Sequence, residues 1–118
     1  MKQEYFIVPT NFLGLAGGRL THVRETKTKQ IKTFIDWLSI QTVELKSRSP
    51  SWFVLIVTAG GGIGSMYAER GRDKDYMAKI YKAILSLTDE ARYQNMRKIQ
   101  REIGDSLGSV RSRNENNF

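Results

Sequence analysis

Three features of this chain carry residue types that do chemistry: a lone histidine, a glycine-rich run and a pair of aspartates. His22 is the only histidine, and the chain has no cysteine. A metal site needs several nitrogen, sulfur or carboxylate ligands at matched spacing, and no carboxylate stands at such a spacing beside His22. As a general base it lacks a neighbouring nucleophile. It is expected to be a strand histidine at a polar surface. The run TAGGGIGS (Thr58 to Ser65) follows an apolar segment, as a phosphate-binding loop does. Ser65 occupies the third glycine site of GxGxxG, however, and no lysine follows to make a P-loop. The run also leads into the strand-like MYAER, so no helix N-terminus is available to hold a phosphate. A hairpin turn that needs positive φ accounts for these glycines. Asp73 and Asp75 precede a helical pattern and are expected to cap it. No catalytic residue, metal ligand or cofactor is assigned.

What remains is binding chemistry, and charge is its strongest signal. The chain carries 19 Lys and Arg against 12 Asp and Glu, a net charge of +7. Such an excess attracts nucleic acid, anionic lipid or an acidic protein surface. Between Arg19 and Arg48 there are seven basic and three acidic residues, with Arg24, Lys27, Lys29 and Lys32 grouped within nine positions. A second group, Arg92, Arg97, Lys98, Arg101, Arg111 and Arg113, lies near the C-terminus. Arg24 to Lys32 contains no aromatic residue and the second group only Tyr93, too few to stack on successive bases, which argues against a single-strand nucleic-acid platform. Trp37 and Trp52 are of the type that anchors partners, although core positions are the commoner use.

The elements that must hold these residues follow from length and period. A chain of 118 residues, 40% apolar and 26% charged, is one domain's worth of globular sequence. No signal peptide is expected, and the longest apolar run, Trp52 to Val57, is far below the roughly 20 residues of a membrane span. A cytoplasmic location is the default expectation. Glu4 to Val8 is β-branched and aromatic and reads as a short or edge strand stopped by Pro9. Arg19 to Glu25 alternates, with Leu20, His22 and Arg24 on one face. The polar stretch Thr26 to Lys32 reads as a hairpin tip or exposed strand end. Thr33 to Lys46 fits both helix and strand periods, and is expected to hold a short turn at Ile35 to Ser39 and a strand from Ile40 to Lys46. Trp52 to Thr58 is apolar on both parities, as in a central strand, and Ile63 to Glu69 returns. Met77, Ile80, Ile84 and Leu87 form the stripe of a helix. Thr88, followed by Asp89 and Glu90, predicts a second helix with the stripe Met96, Ile99, Ile103, Leu107 and Val110.

Two blocks carry a family resemblance. The segment GGRLTHVRETKTKQIKTFIDWLSIQTVELKS resembles the front half of bacterial pleckstrin-homology-like (PH-like) domains, in which a "KRLIHV"-type strand leads through a basic hairpin to a segment ending "I..V.L". The segment WFVLIVTAGGGIGSMYAERGRDKDYMAKIYKAI is similar to that family's closing pattern. It is also similar to a small uncharacterised bacterial family ending in strand, glycine turn, strand and helix. Together the likeness spans roughly Glu4 to Leu87. It implies a curved antiparallel sheet closed by a C-terminal helix, and it brings no catalytic residues. The second helix lies outside the pattern.

The sequence is therefore expected to form an α+β domain at 1–87, with five or six antiparallel strands closed by a helix, then an amphipathic basic helix at 88–111 and a disordered tail at 112–118. The expected function is non-catalytic docking of a protein partner or an anionic surface, with Arg24, Lys27, Lys29 and Lys32 as contacts. Arg92, Arg97, Lys98 and Arg101 are the contacts of two other readings, nucleic-acid binding and self-association through the C-terminal helix. A small α+β enzyme whose site residues converge from distant positions is a third class.

Overall fold

Among the described residues six strands and one helix follow one another along the chain. The computed structural model describes residues 3–9 and 18–116, with side chains as far as Asp105. Strands β1 (Glu4–Ile7), β2 (Leu20–Glu25) and β3 (Gln30–Ile35) form one antiparallel sheet in the order β1-β2-β3. Strands β4 (Ile40–Ser49), β5 (Trp52–Ala59) and β6 (Ser65–Gly71) form a second, in the order β4-β5-β6. A single helix, α1 (Lys74–Asn116), closes the chain. The fold class is α+β, as expected, with the six strands divided between two sheets of three.

The short turn expected at Ile35 to Ser39 is a 3-10 turn at Trp37–Ser39. The Asp36 side chain accepts the Leu38 backbone N–H at 3.1 Å, and the Trp37 indole donates to Gly18 O at 3.0 Å. That turn redirects the chain from one sheet to the other. The two sheets and the helix enclose a core of Phe6, Leu20, Ile35, Trp37, Ile40, Phe53, Leu55, Val57 and Ala59, joined by Met77, Ile84 and Ala91 from α1. Burying a leucine or isoleucine fully, as at Leu20, Leu55 and Ile84, contributes about 1.5–3 kcal/mol each. Strand β5 is central in its sheet. Its odd residues Phe53, Leu55, Val57 and Ala59 face the core; on the other face Val54 is buried between Lys46 and Arg70, and Ile56 is half-buried between Glu44 and Ala68.

The glycine run makes the β5–β6 turn. Gly60 and Gly62 have φ of 101° and 68°, conformations that L side chains rarely adopt, and the chain goes on into β6. Asp73 caps α1: its carboxylate accepts the Tyr76 backbone N–H at 3.0 Å, and its carbonyl accepts that of Met77 at 3.0 Å.

One expectation is corrected. The two helices predicted on either side of Thr88 are one continuous helix of 43 residues, about 65 Å long at 1.5 Å per residue. An N-cap threonine accepts, through its hydroxyl, a backbone N–H of the helix's own first turn. Thr88 is instead buried, 1% exposed, and its hydroxyl donates to Ile84 O at 2.7 Å. No glycine or proline interrupts Lys74 to Ile103, so the helix runs through. From Met96 on every described side chain of the helix is exposed, and the molecule measures 71 × 32 × 29 Å. Among the described residues no helix is long and apolar enough to cross a membrane.

Candidate functional site

The basic hairpin is built by a two-residue turn. The Thr26 backbone N–H donates to Lys29 O at 2.8 Å, and its hydroxyl both donates to Lys29 O (3.0 Å) and accepts the Lys29 N–H (3.1 Å). Threonine here does what Asx and Ser/Thr turns do, closing the loop with its own side chain. Lys27 and Thr28 are left at the tip. Below the turn, Arg24 pairs with Ile31 and Val23 with Lys32, so Arg24 and Lys32 project from opposite faces of the ribbon. The structure thus gathers Arg24, Lys27, Lys29 and Lys32 around one tip, on both of its sides. All four are exposed, and no ion pair among the described residues engages them.

Beside the tip, Glu25 is engaged through one of its two carboxylate oxygens. Glu25 Oε1 accepts the Gln30 side-chain amide at 3.0 Å and the Tyr5 hydroxyl at 3.1 Å. The hydrogen bond to Glu25 raises the Tyr5 phenol above its ordinary value, with smaller contributions from desolvation and then from the Glu25 charge.

In the second sheet, too, the strand ends remote from the 3-10 turn carry cations. Lys46 and Arg48 lie near the end of β4, while Arg70, Arg72 and Lys74 surround the β6–α1 junction, all exposed. Lys46 pairs with Glu44 at 3.2 Å. The Arg72 guanidinium lies 5.5 Å from the Trp52 ring centroid, a cation–π contact at the surface. Arg70, Arg72 and Lys74 are not among the contacts expected from the sequence, although the string ERGRDK holds all three.

The second basic group is not one site. Arg92 Nη2 donates to Ile40 O at 2.5 Å, which ties it to the start of β4. Arg97 lies over the Tyr93 ring at 5.8 Å. At about 100° per residue, Arg97 and Arg101 fall near one another on the helix, whereas Arg92 faces nearly the other way. Lys98 is exposed on the helix surface beside them.

His22 is not at a polar surface: it is 5% exposed and sits where the two sheets meet. Its Nε2 lies 2.8 Å from Glu4 Oε1 and 3.3 Å from Ala68 O, and its ring contacts Phe6 and Tyr67 at centroid distances of 5.3 and 5.1 Å. Two acceptors on one nitrogen require that nitrogen to carry the proton. Nearby, Glu69 is fully buried on β6 and its Oε1 accepts the Phe6 backbone N–H at 2.8 Å. This group works as a seam between sheets. Among the described residues no three His, Cys, Asp or Glu side chains are placed to hold a metal ion.

Trp37 is buried in the core, and Trp52 is partly exposed beneath Arg72. Compared with family models, curated proteins and solved structures, the chain matches none.

Proposed function

We propose that this chain is a non-catalytic PH-like binding module that docks an anionic surface, of a protein partner or a membrane, through its β2–β3 hairpin. The observation that carries the proposal is the hairpin tip. Four exposed cations, Arg24, Lys27, Lys29 and Lys32, surround a turn held rigid by Thr26 and lack carboxylate partners among the described residues. Unpaired cations on a stiff ribbon lose little entropy on meeting an anionic partner, and each contributes up to about 1 kcal/mol near an anionic lipid surface. The two sheets and α1 supply rigidity. A location in the cytoplasm, where anionic lipid faces the protein, accords with this proposal.

Nucleic-acid binding through Arg92, Arg97, Lys98 and Arg101 is supported less well, because Arg92 is committed to Ile40 O and only the other three project together.

Flotation with phosphatidylserine-containing and pure phosphatidylcholine vesicles, and retention on polyglutamate and duplex DNA, test the proposal. Binding to the first vesicles or to polyglutamate, lost in Lys27→Glu/Lys29→Glu/Lys32→Glu and kept in Arg97→Glu/Lys98→Glu/Arg101→Glu, is the expected result. Retention only on DNA, with a steep loss on added salt and the reverse dependence on the two variants, favours the nucleic-acid reading. Equal behaviour of both triple variants on every ligand overturns hairpin docking.

A further inference from the structure

Beyond Asn95 the helix becomes an arm. From Met96 to Asn116 it spans about 32 Å. Every described side chain from Met96 to Asp105 is exposed. Isolated helices have little stability in water, and Gly104 and Gly108 weaken this one further. An arm of this composition stays helical when something packs along it.

The arm carries the means. Met96, Ile99 and Ile103 are 58%, 46% and 53% exposed and recur at spacings of three and four. Leu38, 40% exposed on the 3-10 turn, extends the stripe toward the body. Leu38 and the helix residues Arg92, Asn95, Met96, Ile99 and Gln100 line a groove of about 330 Å³. From these exposures the four residues together present on the order of 400 Å², the size of the largest apolar patch on a typical monomer, which is often functional. A standard interface buries about 800 Å² per partner, slightly more than half of it apolar. One arm therefore supplies close to the apolar share of one such interface.

Charge indicates the occupant. At about 100° per residue, Asn95 and Gln100 border the stripe, and both are neutral amides. Arg97, Lys98 and Arg101 project roughly 120–160° around the helix from it. Arg92, which shares the stripe's side, is tied to Ile40 O. A membrane-surface helix carries bulky Trp, Phe or Leu on its apolar face. On this arm that face is Met96, Ile99 and Ile103. Two copies of the same face meet without like charges in contact.

We propose that this arm pairs with the arm of a second copy of the chain, antiparallel, through Leu38, Met96, Ile99 and Ile103. Packed helix axes lie 8–10 Å apart, whereas the body is about 30 Å wide. An antiparallel pair puts the two bodies at opposite ends, and a parallel pair crowds them together.

The test uses the full chain. Light scattering across a concentration series is expected to give twice the 13.5 kDa chain mass, and solution X-ray scattering a length of roughly 100 Å rather than 71 Å. Met96→Glu and Ile103→Glu each put a charge into the pairing face and are expected to weaken dimerisation about thirtyfold or more. Lys98→Glu, on the far side, leaves it unchanged. Ile103 lies beyond the groove, so Ile103→Glu retains the test if Met96→Glu perturbs folding, as circular dichroism reports. A monomer at every concentration up to about 100 μM overturns the proposal. So does a dimer that survives Ile103→Glu, or a dimer only about 71 Å long. A monomer that floats with vesicles and loses flotation in Ile103→Glu assigns the stripe to lipid instead.

Discussion

The carboxylate of Glu69 accepts the backbone N–H of Phe6 at 2.8 Å, so a side chain on the last strand of one sheet completes the hydrogen bonding of the first strand of the other. Phe6 pairs with His22 on the inner side of β1, and His22 reaches the carbonyl of Ala68, the residue before Glu69. The two sheets are thereby joined by polar contacts at one seam as well as by their shared core. A buried edge N–H without such a partner costs as much as a lost hydrogen bond.

Glu69→Ala is expected to destabilise the fold by about 3 kcal/mol, because it strands the Phe6 N–H and leaves a void. Glu69→Gln keeps an acceptor oxygen and is expected to cost about 1 kcal/mol. Urea unfolding of the two variants measures the difference. Equal losses for both show that the acceptor is not what matters.

Tyr5 and Glu25 form a second link, between β1 and β2. The phenol is raised above 10.0 because its neutral form donates to the carboxylate. A group raised on folding contributes stability that is complete below its unfolded value and is lost as pH rises through the folded one. The stability gap between the native chain and Tyr5→Phe is therefore expected to be constant from neutral pH to about pH 10 and to close above it. Denaturant midpoints through that range, with tyrosinate absorbance, give the measurement. A gap unchanged at high pH rules out this bond as its source.

How far the sequence discloses this arrangement depends on whether the cause is local. The turn at Trp37–Ser39 and the strand beginning at Ile40 are legible because Asp36 caps locally and the β-branched run follows at once. The β5–β6 turn is legible because positive φ demands glycine. The seam is not legible. His22 and Glu4 are 18 positions apart and Phe6 and Glu69 are 63 apart, and only the packing of two sheets brings them together. Thr88 misleads for a related reason: Thr-Asp-Glu suits a helix start and a helix middle equally, and the burial of Thr88 against the body decides between them. The tip cations Lys27 and Lys29 were visible in the sequence, whereas Arg70 and Arg72 were not singled out.

The glycines of the β5–β6 turn should differ sharply despite their adjacency. Gly60 has φ of 101°, and alanine there is expected to cost about 1–2 kcal/mol in backbone strain. Gly61 has an ordinary φ, and a Cβ built on it meets nothing within 4 Å. Gly61→Ala is expected to fall within about 0.5 kcal/mol of the native chain. Thermal midpoints of the two variants suffice, and similar values for both contradict the assigned turn.

Arg92 offers the sharpest separation of a structural from a contact role. Its guanidinium donates to Ile40 O at 2.5 Å and binds the helix to the start of β4, where Gly60 also donates to Ser39 O. A hydrogen bond from a charged donor contributes about 1.5–3 kcal/mol. Arg92→Ala should lose stability in that range and loosen the junction between α1 and the 3-10 turn. Arg97→Ala, which gives up only an exposed ring contact with Tyr93, should change stability by less than about 1 kcal/mol. Amide hydrogen exchange supplies the second readout. Faster exchange at Ile40 and Gly60 in Arg92→Ala, absent from Arg97→Ala, identifies the tie. An Arg92→Ala chain with native stability and native exchange shows instead that the guanidinium is free for a partner.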